Sequence, residues 1–446
     1  MSSSSIIVIG AGAAGLQACC RLAEAGFPVR LLEASAEPGG RIHSITPRGF
    51  SAPVEGGAEF IHGTLPLSLR LAKAAGVALE PVKAEMIRWT KDRGWGDVDA
   101  GNGAGNGDGD QDGGDGDTEG GISGADWGLL METMAGLTAD LPIAEFLQLH
   151  FPGERWAGLT ESVRRFAEGY DLADLSRAST LALYREWSGE EGGEEYRPVG
   201  GYRGLVSWLA AECRRLGAEL HFSSPVVGVD WEKGRVRVRT EGGQLFEADR
   251  LVVSVSLGVL GSGGLGFNPV LPELPGLIGK LGYGSVVKVL LEFNNLFWLK
   301  KKSKEQTLFI LSDQPVPTWW TQSDDASPVL TGWVAGERMR IFLQLDEAGK
   351  IGICLRSLAT IFGLEQEWLR QELAGISILD WAGAPYVRGG YSFETVEAAG
   401  ARAALLRPVE ETLYFCGEAL YEGESLGTVE AALQSGWDVA EKIIAR

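Results

Sequence analysis

Apolar runs and apolar–polar alternations divide this chain into elements before any chemistry is considered. Four β-branched residues, Ile6, Ile7, Val8 and Ile9, read as a strand apolar on both faces, and an alanine- and leucine-rich helix follows. A second short strand, residues 29–32, completes a strand–helix–strand unit, the pattern of a parallel sheet. Residues 64–93, beginning LPLSLRLAKAAG, are expected mainly as helix, and residues 127–187 carry helical periodicity throughout. From Val199 the pattern returns to α/β: GGYRGLVSWLAAECRRLG predicts a helix, and residues 217–256 predict short strands around turns. Val226 and Val227 are placed at the end of one of these strands, and residues 251–256 in a layer added to the first unit.

Two later stretches carry the most information. In GSVVKVLLEF, residues 284–293, Lys288 shares a strand face with Val286 and Leu290, while Val287, Val289 and Leu291 form the other. A lysine inside a strand apolar on both sides is costly to bury, so it either has a task or snorkels from an edge strand. Residues 300–380 alternate strands and helices, with tryptophans at 319, 320 and 333 that read as core. Near the end, Thr428 is expected to cap a helix whose inner face is Val429, Ala432, Leu433, Gly436, Trp437, Ala440 and Ile444.

Composition narrows the class. At 446 residues the chain exceeds one ordinary core, and 45% hydrophobic with 22% charged residues is a soluble globular balance. No apolar run approaches the roughly 20 residues of a membrane helix, and no secretory pattern is visible, so a cytoplasmic location is expected. The scattered cysteines Cys19, Cys20, Cys213, Cys354 and Cys416 suit reduced thiols rather than a disulfide framework or a zinc site. A net charge of −20 argues against nucleic acid and anionic membranes and is compatible with a cationic ligand. Residues 95–124 form a Gly/Asp-rich insertion expected to be disordered. Within it Asp108, Asp110, Asp112, Gly113 and Glu119 match EF-hand loop spacing. Asp115 and the flanking glycines do not fit a calcium loop, and no metal site is assigned.

Candidate chemistry begins in the first unit. Gly10, Gly12 and Gly15 stand at GxGxxG spacing after the strand, with Ala14 on the same turn. Gly10 permits the tight turn, Gly12 the approach of a pyrophosphate, and Gly15 close helix–strand packing. Glu33 sits where a carboxylate accepts from a ribose. Gly39, Gly40 and Arg41 predict a loop returning to the phosphates with a guanidinium for a pyrophosphate. VEGGAEFIHG, residues 54–63, is glycine-dense, as backbone passing close to a flat or charged group would be. Trp381, Tyr386 and Tyr391 cluster near Gly389 and Gly390, where an aromatic can stand at a cavity wall or pack in the core. None of the four histidines stands in a hydrolase arrangement.

Taken together, IIVIGAGAAGL with LLEA, GGR at residues 39–41, EGGAEFIHG, GSVVK, RGGYSF and FCGEA followed by GTVEAALQSG resemble the flavin-containing amine oxidases. That family includes monoamine and polyamine oxidases and lysine-specific histone demethylases, and the resemblance runs nearly end to end except across residues 94–125. It implies an α/β fold in which an FAD-binding Rossmann-like (GR2-type) domain is interleaved with an α+β substrate-binding domain. The expected bounds are 1–80, 198–268 and 385–446 for the first and 81–197 and 269–384 for the second. The resemblance implies that Gly10, Gly12, Ala14, Gly15, Glu33, Gly40 and Arg41 hold the ADP part of FAD, with Val227 near the adenine. Gly57 and Ala58 would pass the isoalloxazine, Gly417 and Glu418 the ribityl-phosphate region, and Thr428 and Val429 would bring the last helix to flavin N1 and O2. Lys288 falls on the family lysine that holds a water near flavin N5, Tyr391 and Trp381 on the aromatic cage, and His62 on the active-site mouth. Glu59 replaces a small hydroxyl residue and would offer a carboxylate to a substrate ammonium. Thr428 replaces the second cage tyrosine, as in the demethylases. Gly390 replaces the cysteine that binds FAD covalently, so FAD is expected to be noncovalent.

The resemblance implies FAD-dependent oxidation of a small-molecule amine, with O2 as the expected acceptor and H2O2 as product. An L-amino acid oxidase, with Arg388 the nearest cation for a carboxylate, and an amine dehydrogenase using another acceptor stand as alternatives. A chromatin-type demethylase is disfavoured by the lack of a coiled-coil insertion. A homodimer is the oligomeric expectation.

Overall fold

The computed structural model describes residues 4–63, 65–97, 123–189, 194–300, 307–322 and 327–446. The first apolar run becomes the central strand, Ile6–Ile9, of a five-stranded parallel sheet. Its order is Leu413–Phe415, Arg250–Val253, Ile6–Ile9, Val29–Leu32 and Glu219–His221. Both faces of that strand are covered, which is why it is apolar throughout. On one side Ile6 and Val8 pack with Leu16, Leu22, Leu209, Leu433, Val439 and Ile443 from the helices Ala13–Glu24, Arg203–Arg215 and Val429–Ile444. On the other, Ile7 and Ile9 meet Val229, Val236 and Val238 of a four-stranded sheet. Val226 and Val227 open the strand Val226–Glu232 of that sheet rather than ending one, because the β-ladder to Arg235–Thr240 starts at Val226.

The first and last helices approach through glycine. A Cβ on Gly15 would lie 2.0 Å from the Gly10 carbonyl oxygen, and one on Gly436 would lie 2.1 Å from that of Ala14. Thr428 caps the last helix as expected, its hydroxyl accepting from the Ala431 N–H at 3.1 Å. The inner face differs in part from the expected one: Val439 and Ile443 are buried, whereas Trp437 is only partly covered. The guanidinium carbons of Arg21 and Arg70, 5.2 and 5.1 Å from its ring, hold that indole at the surface.

A seven-stranded sheet forms the second layer, ordered Leu373–Asp380, Val286–Phe293, Val329–Ala335, Thr318–Thr321, Thr307–Ser312, Ala84–Thr90 and Gly94–Asp97. Residues 64–93 are therefore not mainly helical. Helix Pro66–Ala75 ends at Gly76 in left-handed conformation, and Ala84–Thr90 is a strand. Its parallel ladder to Thr307–Ser312 and antiparallel ladder to Gly94–Asp97 come from partners that local periodicity does not reveal. The helices Gly124–Ala135, Ile143–His150, Ala157–Gly169 and Thr180–Ser188 form a separate core, in line with the periodicity. Within the Gly/Asp-rich insertion, residues 98–122, including the EF-hand-like positions, lie outside the described residues. The five cysteines are free thiols. Among the described residues, no helix is long and apolar enough to cross a membrane.

A buried carboxylate ties the first sheet connection together. Glu55 accepts from the Ser44 hydroxyl at 2.7 Å and the Tyr202 N–H at 3.0 Å through one oxygen, while its other oxygen has no hydrogen-bond partner. Burial raises its pKa, and Ser44 and Lys288 only partly oppose that shift.

Gly436→Ala is expected to destabilise the protein by about 1–3 kcal/mol through overpacking against the Ala14 carbonyl. Gly400→Ala, on an exposed helical turn with no atom within 4 Å of the new methyl, should be neutral or stabilising by up to about 1 kcal/mol. Urea unfolding of both variants checks the contrast. A raised carboxyl pKa in the folded state means stability is lost as pH rises from the ordinary carboxylate range through the folded value. Unfolding measured from about pH 4 to 8 should show wild type losing ground to Glu55→Gln as pH rises. A constant difference would remove Glu55 as the cause.

Candidate active site

One cavity of about 1810 Å³ runs from the first glycine turn to the seven-stranded sheet. At one end Gly10, with φ +103°, makes the tight turn, and Gly12 precedes the N-terminus of the helix Ala13–Glu24. The second glycine pair returns to this turn as its spacing predicts: the Gly39 N–H donates to the Ala11 carbonyl at 2.9 Å, and Gly12 bridges Gly39. Gly10, Gly12, Ala14, Glu33, Gly40, Arg41, Gly57, Ala58, Val227, Gly417, Glu418, Thr428 and Val429 all line the cavity. Gly15 does not, because it is spent on the contact with Gly10.

The charged residues at this end are already engaged. Glu33 accepts from the Ala11 N–H at 2.6 Å and the Ser35 N–H at 2.7 Å. Arg41 donates to Glu418 at 2.7 Å and to the Gly390 carbonyl at 2.8 Å, and Ser392 donates to the other Glu418 oxygen. Burial disfavours the Arg41 charge, yet Tyr283 and Glu418 outweigh it and raise the guanidinium pKa. Gly57 is required beside this loop, since a Cβ there would lie 1.9 Å from the Arg41 carbonyl oxygen.

A dinucleotide-shaped flavin fits this end. Two helix N-termini, preceded by Gly12 and Thr428, offer backbone N–H groups. A Cβ on Gly417, which lines the cavity, would meet no atom within 4 Å, so the backbone is open to a ligand there.

The other end is aromatic, with one ammonium. All eight residues of Val286–Phe293 are buried, and Lys288 is only 1% exposed. Ladders to Trp333 on one side and Leu379 on the other make this an interior strand, which removes the snorkelling alternative. Lys288 Nζ donates to the Gly57 carbonyl at 3.1 Å and to Glu59 Oε2 at 2.9 Å. Its Nζ also lies 5.4 Å from the centroid of the Trp320 ring, and rings continue the wall from Trp320 to Trp333 at 5.8 Å and from Trp333 to Tyr391 at 6.4 Å. The Tyr391 hydroxyl donates to the Tyr170 carbonyl, and burial drives its pKa well up. Trp381 lines the same cavity and donates to the Gly56 carbonyl at 3.1 Å. His62, its side chain 42% exposed, pairs with Glu195 at 2.8 Å on the cavity rim.

Glu59 corrects an expectation. Rather than facing the mouth with a free carboxylate, it is 5% exposed and bonded to Lys288, to Arg197 at 2.8 Å and to Trp320 Nε1 at 3.1 Å. Three donors saturate it, so a substrate ammonium has no vacant oxygen to approach. Arg197, Trp320 and Trp333 were not selected by sequence reasoning. For the tryptophans a signal existed: alternation forces Trp319 and Trp320 onto opposite faces, one into the core and one into the cavity. Nothing in EEYRPVGG marks Arg197.

Comparisons with known proteins agree with this geometry. Residues 125–444 match the flavin containing amine oxidoreductase family model, and residues 8–74 match an NAD(P)-binding Rossmann-like domain. The chain is 28% identical over 461 residues to polyamine oxidase 2 of Arabidopsis thaliana, covering 98% of this chain and 88% of that protein. It is also 28% identical over 483 residues to lysine-specific histone demethylase 1 homolog 2 of Oryza sativa subsp. japonica, covering 99% of this chain but only 57% of that protein. Among solved structures, putrescine oxidase bound to putrescine superposes with a TM-score of 0.79 at 19% identity, covering 100% of this chain and 99% of that one. Cyclohexylamine oxidase from Brevibacterium oxydans IH-35A gives 0.76 at 18% identity, covering 99% of each chain; both likenesses are of fold. With the family model spanning most of its length over a Rossmann-like α/β framework, this chain belongs to the flavin-containing amine oxidoreductases.

Proposed function

We propose that this protein oxidises a small-molecule amine at the carbon bonded to nitrogen, using noncovalently held FAD. The observation that carries the reading is Lys288: an ammonium inside an interior strand, on the wall of a cavity that begins at a GxGxxG turn. When bound, FAD supplies the hydride acceptor, the imine product hydrolyses in water, and O2 is the expected oxidant, yielding H2O2.

In this reading the residues divide by position. Gly12, Glu33, Gly40 and Arg41 hold the ADP part, with Val227 toward the adenine. Gly57 and Ala58, which line the cavity, would lie along the ring, and the capped N-terminus at Thr428 and Val429 would offer positive dipole to negative charge on its pyrimidine side. Lys288 would hold a water near the ring's reactive nitrogen. Tyr391, Trp381, Trp333 and Trp320 exclude water and present π-faces to an amine. We assign the five-stranded sheet to cofactor binding and the seven-stranded sheet with its helices to substrate binding.

A second reading is an amine that also bears a carboxylate. It draws on Arg338, which lines the cavity and whose pKa is lowered by burial and by Arg165 and Arg164. Glu161 and Asp313 only partly offset that shift, and a cation so placed favours an anionic substituent.

Purified protein should be yellow. Anaerobic mixing with polyamines, aryl-alkyl monoamines, cyclic amines and amino acids should bleach the flavin with one of the amine classes. Bleaching by amino acids alone would select the second reading, and bleaching by none would remove both. Because only the neutral amine gives up hydride, the reduction rate should rise with pH through an apparent pKa of the bound amine, and a flat profile from pH 6 to 10 would count against it. Lys288→Met should slow flavin reduction or reoxidation on the order of tenfold or more while leaving the FAD content unchanged. Unchanged rates for both steps would strip Lys288 of its role.

A further inference from the structure

Glu59 is the most heavily bonded side chain on the cavity wall that the chemistry above leaves without a task. Its carboxylate joins three separate elements: Lys288 of Val286–Phe293, Arg197 of Tyr196–Pro198 and Trp320 of Thr318–Thr321. Arg197 is itself fixed, donating to the Thr307 hydroxyl at 3.0 Å and the Thr321 carbonyl at 2.8 Å, with its guanidinium carbon 4.6 Å from the Phe60 ring centroid. The clamp is therefore rigid on the side away from Lys288.

We propose that Glu59, backed by Arg197 and Trp320, is the positioning residue that keeps Lys288 charged and aims its free N–H into the cavity. The inference rests on reading Lys288 as the group beside the flavin ring. An ammonium has three protons; the Gly57 carbonyl and Glu59 take two, and the third is left for the cavity that Lys288 lines. A desolvated lysine without an anion beside it gives up its proton or withdraws. Arg197 has a complementary effect. Two cations on one carboxylate leave a net positive charge in a site shielded from water, where its field is strong. That surplus favours negative charge developing in the cavity, as when electrons pass to O2. Glu55, which interacts with Lys288, is biased by burial toward its neutral form, and the flanking strands bring uncharged Trp333 and Leu379.

The test uses flavin-loaded wild type, Glu59→Gln, Glu59→Asp, Lys288→Met and the Glu59→Gln/Lys288→Met double variant. Flavin is reduced photochemically with an added electron donor, so no amine substrate is needed, and then mixed with oxygenated buffer. Lys288→Met should reoxidise on the order of tenfold more slowly than wild type, and Glu59→Gln should approach that rate. The double variant should match Lys288→Met within about twofold, the sign that both changes remove one interaction. Glu59→Asp should recover part of the rate. Wild-type rates in Glu59→Gln, or effects that multiply in the double variant, would overturn the proposal, as would a Lys288→Met that reoxidises like wild type. Failure of every amine to bleach the same preparations would instead overturn the amine-oxidation reading and leave this measurement standing.

Discussion

The arrangement of this protein turns on one electrostatic constraint: an ammonium is almost wholly buried at the wall of a cavity. Lys288 sits in the middle of an interior strand, between neighbours on both sides, and is 1% exposed. Removing one partner from a buried ion pair typically costs about 3–5 kcal/mol, because the remaining charge is left without compensation. The structure meets that demand with Glu59 and the Gly57 carbonyl, both from the glycine-dense run that also passes Arg41. The same backbone segment thus satisfies the lysine and shapes the cavity floor.

This coupling explains why glycine is needed where it is. At Gly57 any side chain would strike the Arg41 carbonyl, and the loop could not lie flat between the arginine and the lysine. Arg41 in turn bonds Glu418 and the Gly390 carbonyl, so segments from the start, middle and end of the chain meet across one cavity. Each of these interior cations has a carboxylate beside it, Glu418 for Arg41 and a shared Glu59 for Arg197 and Lys288.

Much of this was legible in the residues themselves. The strand–glycine–helix unit, the returning Gly39–Gly40 loop and the Thr428 cap depend on short-range steric rules, and each stands where its spacing placed it. Lys288 was conspicuous because periodicity and charge disagreed at that position. What escaped was set by partners distant in sequence. The strand Ala84–Thr90 exists because Thr307–Ser312 pairs with it, and no local pattern announces that. Glu59 read as a free carboxylate because its donors, Arg197, Lys288 and Trp320, lie between 138 and 261 residues away. Trp437 was placed on the inner face of the last helix because arginine stacking is invisible in one dimension.

The place of Ile6–Ile9 at the centre of the parallel sheet has a consequence for biogenesis. One of its two neighbours, Val29–Leu32, leaves the ribosome almost at once, whereas the other, Arg250–Val253, follows some two hundred residues later. Until then an apolar strand has an open edge, a template for unwanted pairing between nascent chains.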